Sequence, residues 1–509
     1  MHKRILQKTR RGISILLLCS MIFSVDATAQ AASDFGRGSE KQIQTNTDTF
    51  PEKKVIRKKE GVTVPASTAG VTMTASAPAV TMPVSSPAVT QTPGVLPTES
   101  PDLPMETGKP VAIPGKISRI YLCSLGRQKV KLTWEESEHA TGYEIYRRKK
   151  GSSTFRLLAV TKECTYTDKT ISYHTTYRYR IVPVAQEGEE CRKGKAAGIT
   201  FRNDKVVAVS HQKYSYSEMS GDIRQLVKNY HGLVQYQIIG KSEDGRNIYD
   251  VILGNPDAKK TMLVVSALHA REYMTSLLCM NQIEYYLQNY QGKIDGKKGK
   301  NILQKIAIHY IPMANPDGVT ISQYGIQKIN SPVLRRKLHR MSRGSTRRWK
   351  ANARGVDLNR NFPYLFLKAG RRGSAGYTGP YAASESETIA LVKLVNELQL
   401  NTRLQGVVNY HAMGSIVFGD CQKSGSFVNA TRKMYRVARK TTGYRSAAGY
   451  RGSTSQGRGC LREYVMYGIG IPSITLEIGK YACPGSIREF PSIWRKNRKL
   501  VFREADIFV

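Results

Sequence analysis

The sequence predicts an α/β domain built on a mixed sheet, preceded by an all-β sandwich and a disordered linker. Three observations predict it. From residue 211 onward, short apolar runs such as TMLVV (261–265) and IAIHYIP (306–312) alternate with helical patterns. That alternation marks a sheet covered by helices on both faces. Residues 114–203 instead alternate apolar with polar side chains between short turn-like breaks, the pattern of half-buried antiparallel strands. Residues 32–113 contain VPASTAGVTMTASAPAVTMPVSSPAVTQTPGV, which repeats PAVT and is almost empty of charge and aromatic rings. Such a stretch cannot bury enough surface to offset its chain entropy. The alternative, a small folded domain, would have little to put in its core.

At 509 residues the chain is too long for one core, so two folded domains plus non-globular sequence are expected. The N-terminus runs MHKRILQKTRRG, then ISILLLCSMIFSV, then DATAQAA, with A-x-A cleavage options. Residues 1–31 therefore read as a secretory signal peptide, shorter in its apolar part than the roughly 20 residues of a membrane span. No later stretch is long and apolar enough to span. The expectation is a secreted, extracellular protein, with cell-wall association as an option. Removal of Cys19 leaves seven cysteines and no CxxC, which argues against a zinc ribbon and against a fully paired disulfide framework. Cys279 falls in a helical pattern and reads as a buried thiol; pairing among Cys421, Cys460 and Cys483 stays open.

The formal charge is +39, from 78 Lys and Arg against 39 Asp and Glu. Almost all of the excess falls on residues 114–509. Such a surface concentrates anionic partners, an anionic cell-wall polymer among them. Nucleic acid is disfavoured, because no recognition helix or aromatic-basic motif is present and the chain reads as exported.

In chain order, KVKLTWEE, GYEIYRRKK, FRLLAVT and YRYRIVPVAQ are sandwich strands. SEMSGDIRQLVKNYHGLV is an amphipathic helix. QYQIIGKSEDGRNIYDVILGN forms two strands around a glycine-containing turn, followed by the TMLVV strand and the helix YMTSLLCMNQIEYYLQNY. ESETIALVKLVNEL is a helix, and GVVNYHAMG and IPSITLEIG are strands. Ligands on open α/β sheets bind outside the C-terminal ends of the strands, so polar residues there are candidates for function.

His269 and Glu272 follow TMLVV, three residues apart, and in a tight turn project to one side. His411 ends another strand. Two histidines and a carboxylate suit a catalytic zinc, which takes three protein ligands and keeps an open position. Taken singly, each also reads as an ordinary polar residue at a strand end. His309, inside IAIHYIP, reads as a satisfied sheet histidine. Asn359 and Arg360 in GVDLNRNFP present a fork of donors that matches a carboxylate, or else belong to a solvated basic loop. Nine Lys and Arg and no acid lie between Arg335 and Arg354. Glu477 ends an otherwise apolar strand, where desolvation would raise its pKa and suit a general base; a salt-bridged core acid is the alternative.

Together HARE, NPDG, GVDLNRNF, NYHAMG and TLEIG, with GKSEDGR upstream, resemble the zinc metallocarboxypeptidase family from residue 211 to the C-terminus. The resemblance implies a mixed sheet of about eight strands and one zinc ion held by His269, Glu272 and His411. It implies that Asn359 and Arg360 hold the substrate's terminal carboxylate and that Glu477 activates water and protonates the leaving amine. The family also places an arginine near the developing oxyanion; Arg354 is the choice here, with Arg348 next. It uses a mobile tyrosine, for which Tyr450 is the nearest candidate. The 114–203 segment, through the Trp134 strand, GYEIYRR and TTYRYRIVPV, resembles a fibronectin type III module, which implies a spacer or adaptor.

Counted back from Glu477, Arg462 falls at or beside the position that sets side-chain preference, and would favour a carboxylate-bearing side chain, unless it points to solvent. RWKANARGVDLNRNFP and NYHAMG look like bacterial members that act on peptidoglycan stem peptides at the γ-D-glutamyl–meso-diaminopimelate bond. The expected protein is thus a monomeric, secreted zinc peptidase of stem peptides. One rival is a broad carboxypeptidase scavenging C-terminal residues. Another is a wall-binding adaptor with an inactive catalytic domain.

Overall fold

The computed structural model describes residues 110–342, 344–419, 426–447 and 458–509. Residues 1–31, read from the sequence as a signal peptide, nearly all of 32–113, read as a linker, Cys421 and Tyr450 lie outside the described residues.

Eight strands come first: β1 (Ile120–Ser124), β2 (Val130–Trp134), β3 (Gly142–Lys149), β4 (Arg156–Thr161), β5 (Thr165–Asp168), β6 (Thr175–Glu187), β7 (Glu190–Lys193) and β8 (Ala197–Asn203). They form a β1-β2-β5 sheet and a β4-β3-β6-β7 sheet, with β8 also paired to β6. The alternation read from the sequence is what fills the space between them. β2 buries Val130, Leu132 and Trp134 and exposes the residues between, and these meet Tyr143, Tyr177 and Tyr179 from the facing sheet. The Trp134 ring meets the Tyr143 ring edge-on at 5.3 Å. Buried Asp168 is satisfied by Arg147 and by the Tyr179 hydroxyl at 2.7 Å.

The sandwich and the mixed sheet belong to one compact unit, and the main chain fastens them together. The His231 N–H donates to the Leu122 carbonyl at 2.9 Å, and the His231 ring stacks on Tyr121 at 4.1 Å. The N–H groups of Val206 and Val207 donate to the Glu284 carboxylate at 2.6 and 3.0 Å. Val207 is fully buried in the larger core, so that core begins before residue 211, the start expected from the sequence.

The second part opens with helix α1 (Tyr216–Asn229), started by a capping box in which Ser215 and Glu218 satisfy each other's backbone N–H groups. There follow β9 (Val234–Lys241), β10 (Asn247–Leu253), β11 (Lys260–Ser266), α2 (Met274–Gln288), β12 (Ile306–Ile311), α3 (Pro316–Tyr324), α4 (Pro332–Met341), α5 (Ser386–Asn401), β13 (Arg403–Ala412), β14 (Ile416–Phe418), α6 (Ser426–Thr442), β15 (Arg445–Ser446), β16 (Ser473–Ile478), α7 (Phe490–Asn497) and α8 (Leu500–Asp506). The strands form one eight-stranded mixed sheet in the order β15-β14-β16-β13-β11-β12-β10-β9.

β16, β13, β11 and β12 run parallel in its centre, while β14, β10 and β9 run antiparallel to their inner neighbours. The central strands are buried on both faces, and every residue of β12 is buried, which explains their unbroken apolar text. One face packs Tyr410, Val417 and Leu476 against α2 and α8, and the other packs Leu263, Val265 and Val407 against α5 and residues 461–465. Cys279 is a buried free thiol in α2. His309 bonds Asp250 on the neighbouring strand at 2.8 Å, as a satisfied sheet histidine does. Among the described residues no helix is long and apolar enough to cross a membrane.

Candidate active site

β11, β13 and β16 are parallel neighbours, so their C-terminal ends open on one edge of the sheet. β11 ends in a tight turn closed by the Glu272 N–H on the His269 carbonyl at 3.1 Å. The Thr275 hydroxyl braces that turn through the Glu272 carbonyl at 2.7 Å. The turn sends both side chains toward His411, which ends β13. The His269 Nδ1 lies 2.7 Å from one Glu272 oxygen, and the His411 Nδ1 lies 2.8 Å from the other. The two Nδ1 atoms are 3.1 Å apart. All three residues are at most 6% exposed.

A shared cation accounts for this donor set. Two nitrogens bound tetrahedrally to zinc at about 2.0–2.1 Å stand about 3.3 Å apart, close to the spacing observed. A buried carboxylate supplies the third donor, and the three donor atoms lie near enough to hold one ion. On its outer side the His269 Nε2 meets Asp357 at 3.0 Å, the carboxylate–histidine support that orients a metal ligand. Burial alone would raise the Glu272 carboxyl; the adjacent His269 and His411 bring it far below the usual range. Asp357, buried beside His269 and Lys350, is held low in the same way.

Glu477 pairs in register with His411 across β13 and β16 and keeps partial exposure. Burial raises its carboxyl to about 8, and nearby Glu272 adds to the rise, while His411, Lys350 and Arg271 oppose it. A divalent cation at the histidines would lower it further.

The zinc carboxypeptidase family model matches residues 219–499. The chain belongs to the zinc carboxypeptidase family. The match begins after the sandwich. Among curated relatives, the γ-D-glutamyl-L-diamino acid endopeptidase 1 of Lysinibacillus sphaericus is 27% identical over 301 residues, covering 56% of this chain and 70% of its own. A zinc carboxypeptidase of Saccharothrix mutabilis subsp. capreolus is 29% identical over 161 residues, covering 30% of this chain and 32% of its own. Among solved structures, thrombin-activatable fibrinolysis inhibitor superposes with a TM-score of 0.47 at 20% identity, over 60% of this chain and 76% of its own.

The remaining expected residues of this zinc carboxypeptidase fall in three groups. Asn359 and Arg360 lie beside the histidines. The Asn359 Nδ2 is 3.3 Å from the His411 Nε2, and its Oδ1 accepts from the Leu461 N–H at 3.0 Å. Arg360 donates to the Asn359 carbonyl at 2.7 Å and to the Cys460 Sγ at 2.8 Å.

Arg462 does not point to solvent. It pairs with Glu463, the two side chains being 17% and 12% exposed, and lies over the Phe418 ring at 5.9 Å. Tyr450 lies outside the described residues.

Arg354 is not brought to the metal cluster. Its guanidinium stands 3.7 Å from Glu243 and 3.7 Å from Glu385, in a carboxylate group completed by Glu387. The cause is local: the Asn352 side chain accepts from the N–H groups of both Arg354 and Val356 at 3.0 Å. That turn aims Arg354 away from the metal cluster. Arg348 is exposed on the preceding turn. A cation from this segment that does reach the site is Lys350, which donates to Asp357 at 2.8 Å. Its backbone carbonyl also accepts from the Ala270 N–H at 3.0 Å, tying it to the His269 turn. Sequence reasoning passed over Lys350, Asp357 and Arg271. The signal available for Lys350 was its position next to a tryptophan that could anchor it: Trp349 is buried, with its indole N–H on the Asn352 carbonyl at 3.1 Å.

Proposed function

We propose that this protein is an exported peptidase that hydrolyses the γ-D-glutamyl–meso-diaminopimelate bond of peptidoglycan stem peptides. The convergence of His269, Glu272 and His411 on one point, with Glu477 in register beside them, carries the hydrolytic part of this reading. The 27% identity to a γ-D-glutamyl-L-diamino acid endopeptidase supports the substrate part. Zinc held by His269, Glu272 and His411 supplies a Lewis acid that acidifies water and polarises a carbonyl.

The chain's own groups do the rest. Asn359 and Arg360 hold the free carboxylate next to the scissile bond, which sets the register of the substrate. Glu477 takes a proton from the attacking water as its oxygen bonds to the carbonyl carbon. It then passes that proton to the departing nitrogen as the C–N bond breaks. Lys350 places positive charge near the oxygen that becomes anionic. The sandwich, read as a fibronectin type III-like spacer, and the surplus positive charge suit work against an anionic wall.

The test is one competition reaction read by mass spectrometry. Zinc-loaded protein meets equimolar L-Ala-γ-D-Glu-meso-diaminopimelate and linear peptides ending in Phe, Lys or Glu. Release of diaminopimelate alone is expected. Trimming of the linear peptides instead would make the protein a scavenging carboxypeptidase. No cleavage with zinc bound would point to a longer wall substrate or a latent enzyme, and failure to bind zinc would favour a wall-binding role.

A further inference from the structure

The pair formed by Arg462 and Glu463 is incompletely used. Both hydrogen bonds from Arg462, through Nε and Nη2, go to the same Glu463 oxygen, Oε1. The Arg462 Nη1 and the Glu463 Oε2 make no hydrogen bond to any described residue. One donor-rich edge and one acceptor oxygen of opposite charge are therefore left side by side, in side chains that are mostly buried.

The pair also stands where a substrate side chain would lie. Glu477 and Thr475 are two apart on β16 and so share a face; opposite them in register on β14 stand Ile416 and Phe418. Arg462 covers Phe418. The residues just before it are fixed to the carboxylate-binding residues: the Leu461 N–H donates to the Asn359 Oδ1, and the Cys460 Sγ accepts from Arg360. A residue whose terminal carboxylate lies on Arg360 and whose scissile bond lies at Glu477 would send its side chain toward Phe418 and this pair.

A lone arginine in such a place would select a simple anion. A half-used ion pair is complementary to a second ion pair of reversed order. We propose that Arg462 and Glu463 form a subsite for a zwitterionic amino-acid head group at the end of the released residue's side chain. The head group's carboxylate takes the Arg462 Nη1 edge and its ammonium takes the Glu463 Oε2. The inference rests on the proposed peptidase reading and narrows it: meso-diaminopimelate carries such a head group, while lysine carries only the ammonium and glutamate only a carboxylate. The geometry also selects against a diaminopimelate whose side-chain carboxylate is amidated, which leaves Arg462 facing a neutral group in a partly desolvated place.

The test is equilibrium binding by titration calorimetry, on full-length zinc-loaded protein carrying Glu477→Gln so that nothing is consumed. Four L-Ala-γ-D-Glu peptides are compared, ending in meso-diaminopimelate, its side-chain amide, 2-aminopimelate or L-lysine. The zwitterionic form is expected to bind about ten- to a hundredfold tighter than the other three, the size of a lost hydrogen bond to a charged group. Glu463→Gln should erase the advantage over 2-aminopimelate, and Arg462→Met the advantage over the amide. Should Arg462→Met not fold, Arg462→Lys keeps the charge without the fork and should shrink the same ratio. Equal binding of all four, or ratios untouched by these substitutions, overturns the subsite. If γ-linked peptides are not bound at all, the same four C-terminal residues on α-linked peptides decide the subsite separately from the bond that is cut.

Discussion

His411 and Glu477 stand directly opposite each other on two adjacent parallel strands, the first facing Glu272 and the second with no hydrogen bond to a described residue. One strand pair thus supplies a donor to the proposed metal and a free base next to it. Register holds them together. A slip of one residue would turn either side chain to the opposite face of the sheet, and the buried rows Val407–His411 and Ser473–Leu476 oppose that slip.

Glu477→Gln separates the base from the metal. The amide is isosteric and cannot accept and return a proton. The variant should bind zinc in the same amount as wild type, measured by elemental analysis, while kcat falls by about 10²–10⁴-fold. Activity within a few-fold of wild type would remove Glu477 from the mechanism.

Asp357→Asn tests the support behind His269. The carboxylate fixes the imidazole so that Nδ1 faces Glu272. Losing it should weaken zinc binding by about 10–100-fold, measured by competition with a chelator, with a smaller change in melting temperature once zinc is saturating. Unaltered zinc affinity would leave Asp357 as a partner of Lys350 and of the Asn359 and Gly376 N–H groups, with no part in holding the metal.

Much of this site was legible because the sheet writes itself in apolar runs and the functional residues interrupt them. His269, Glu272, His411 and Glu477 each follow or end a run that buries both faces. Lys350 was harder to read for the opposite reason, with only the neighbouring tryptophan to mark it. It sits in a segment where cations crowd, and which of them turns inward depends on backbone geometry that composition does not carry. Asn352 captures two backbone N–H groups, and Gly355 takes φ +79°, with an added Cβ falling 2.8 Å from the Met341 sulfur. That turn sends Arg354 to Glu243 and Glu385. The bond from Arg462 to Glu463 was equally hidden, since adjacency in sequence does not say which way a helical turn points its side chains.

Asp222 gives a pH prediction. Burial raises its carboxyl to about 6, opposed by the Tyr214 hydroxyl at 2.8 Å. The folded state then holds this proton more tightly than the unfolded chain, whose carboxyl titrates at about 3.9. Its stabilising contribution is complete below that value and is lost as pH rises through about 6. Asp222→Asn removes the titration, so the melting temperature of the variant relative to wild type should rise between pH 4 and 6 and level off above. A difference that stays flat across this range would mean that Asp222 titrates normally.

Lys350 and Arg354 make the decisive comparison, because they are four residues apart and both are cationic. Lys350 donates to a carboxylate that touches His269, whereas Arg354 serves a separate acidic cluster. Lys350→Ala should lower kcat by about 10²–10³-fold, the cost of removing one preorganised group at a developing oxyanion. Lys350→Arg should recover part of that loss, since it restores charge at a similar reach. Arg354→Ala should leave kcat within a few-fold of wild type. It should instead lower the melting temperature, because removing one partner leaves Glu385 buried with less compensation. Steady-state kinetics and thermal melts on the three variants decide the matter. A large fall in kcat for Arg354→Ala with none for Lys350→Ala would return the oxyanion role to the arginine.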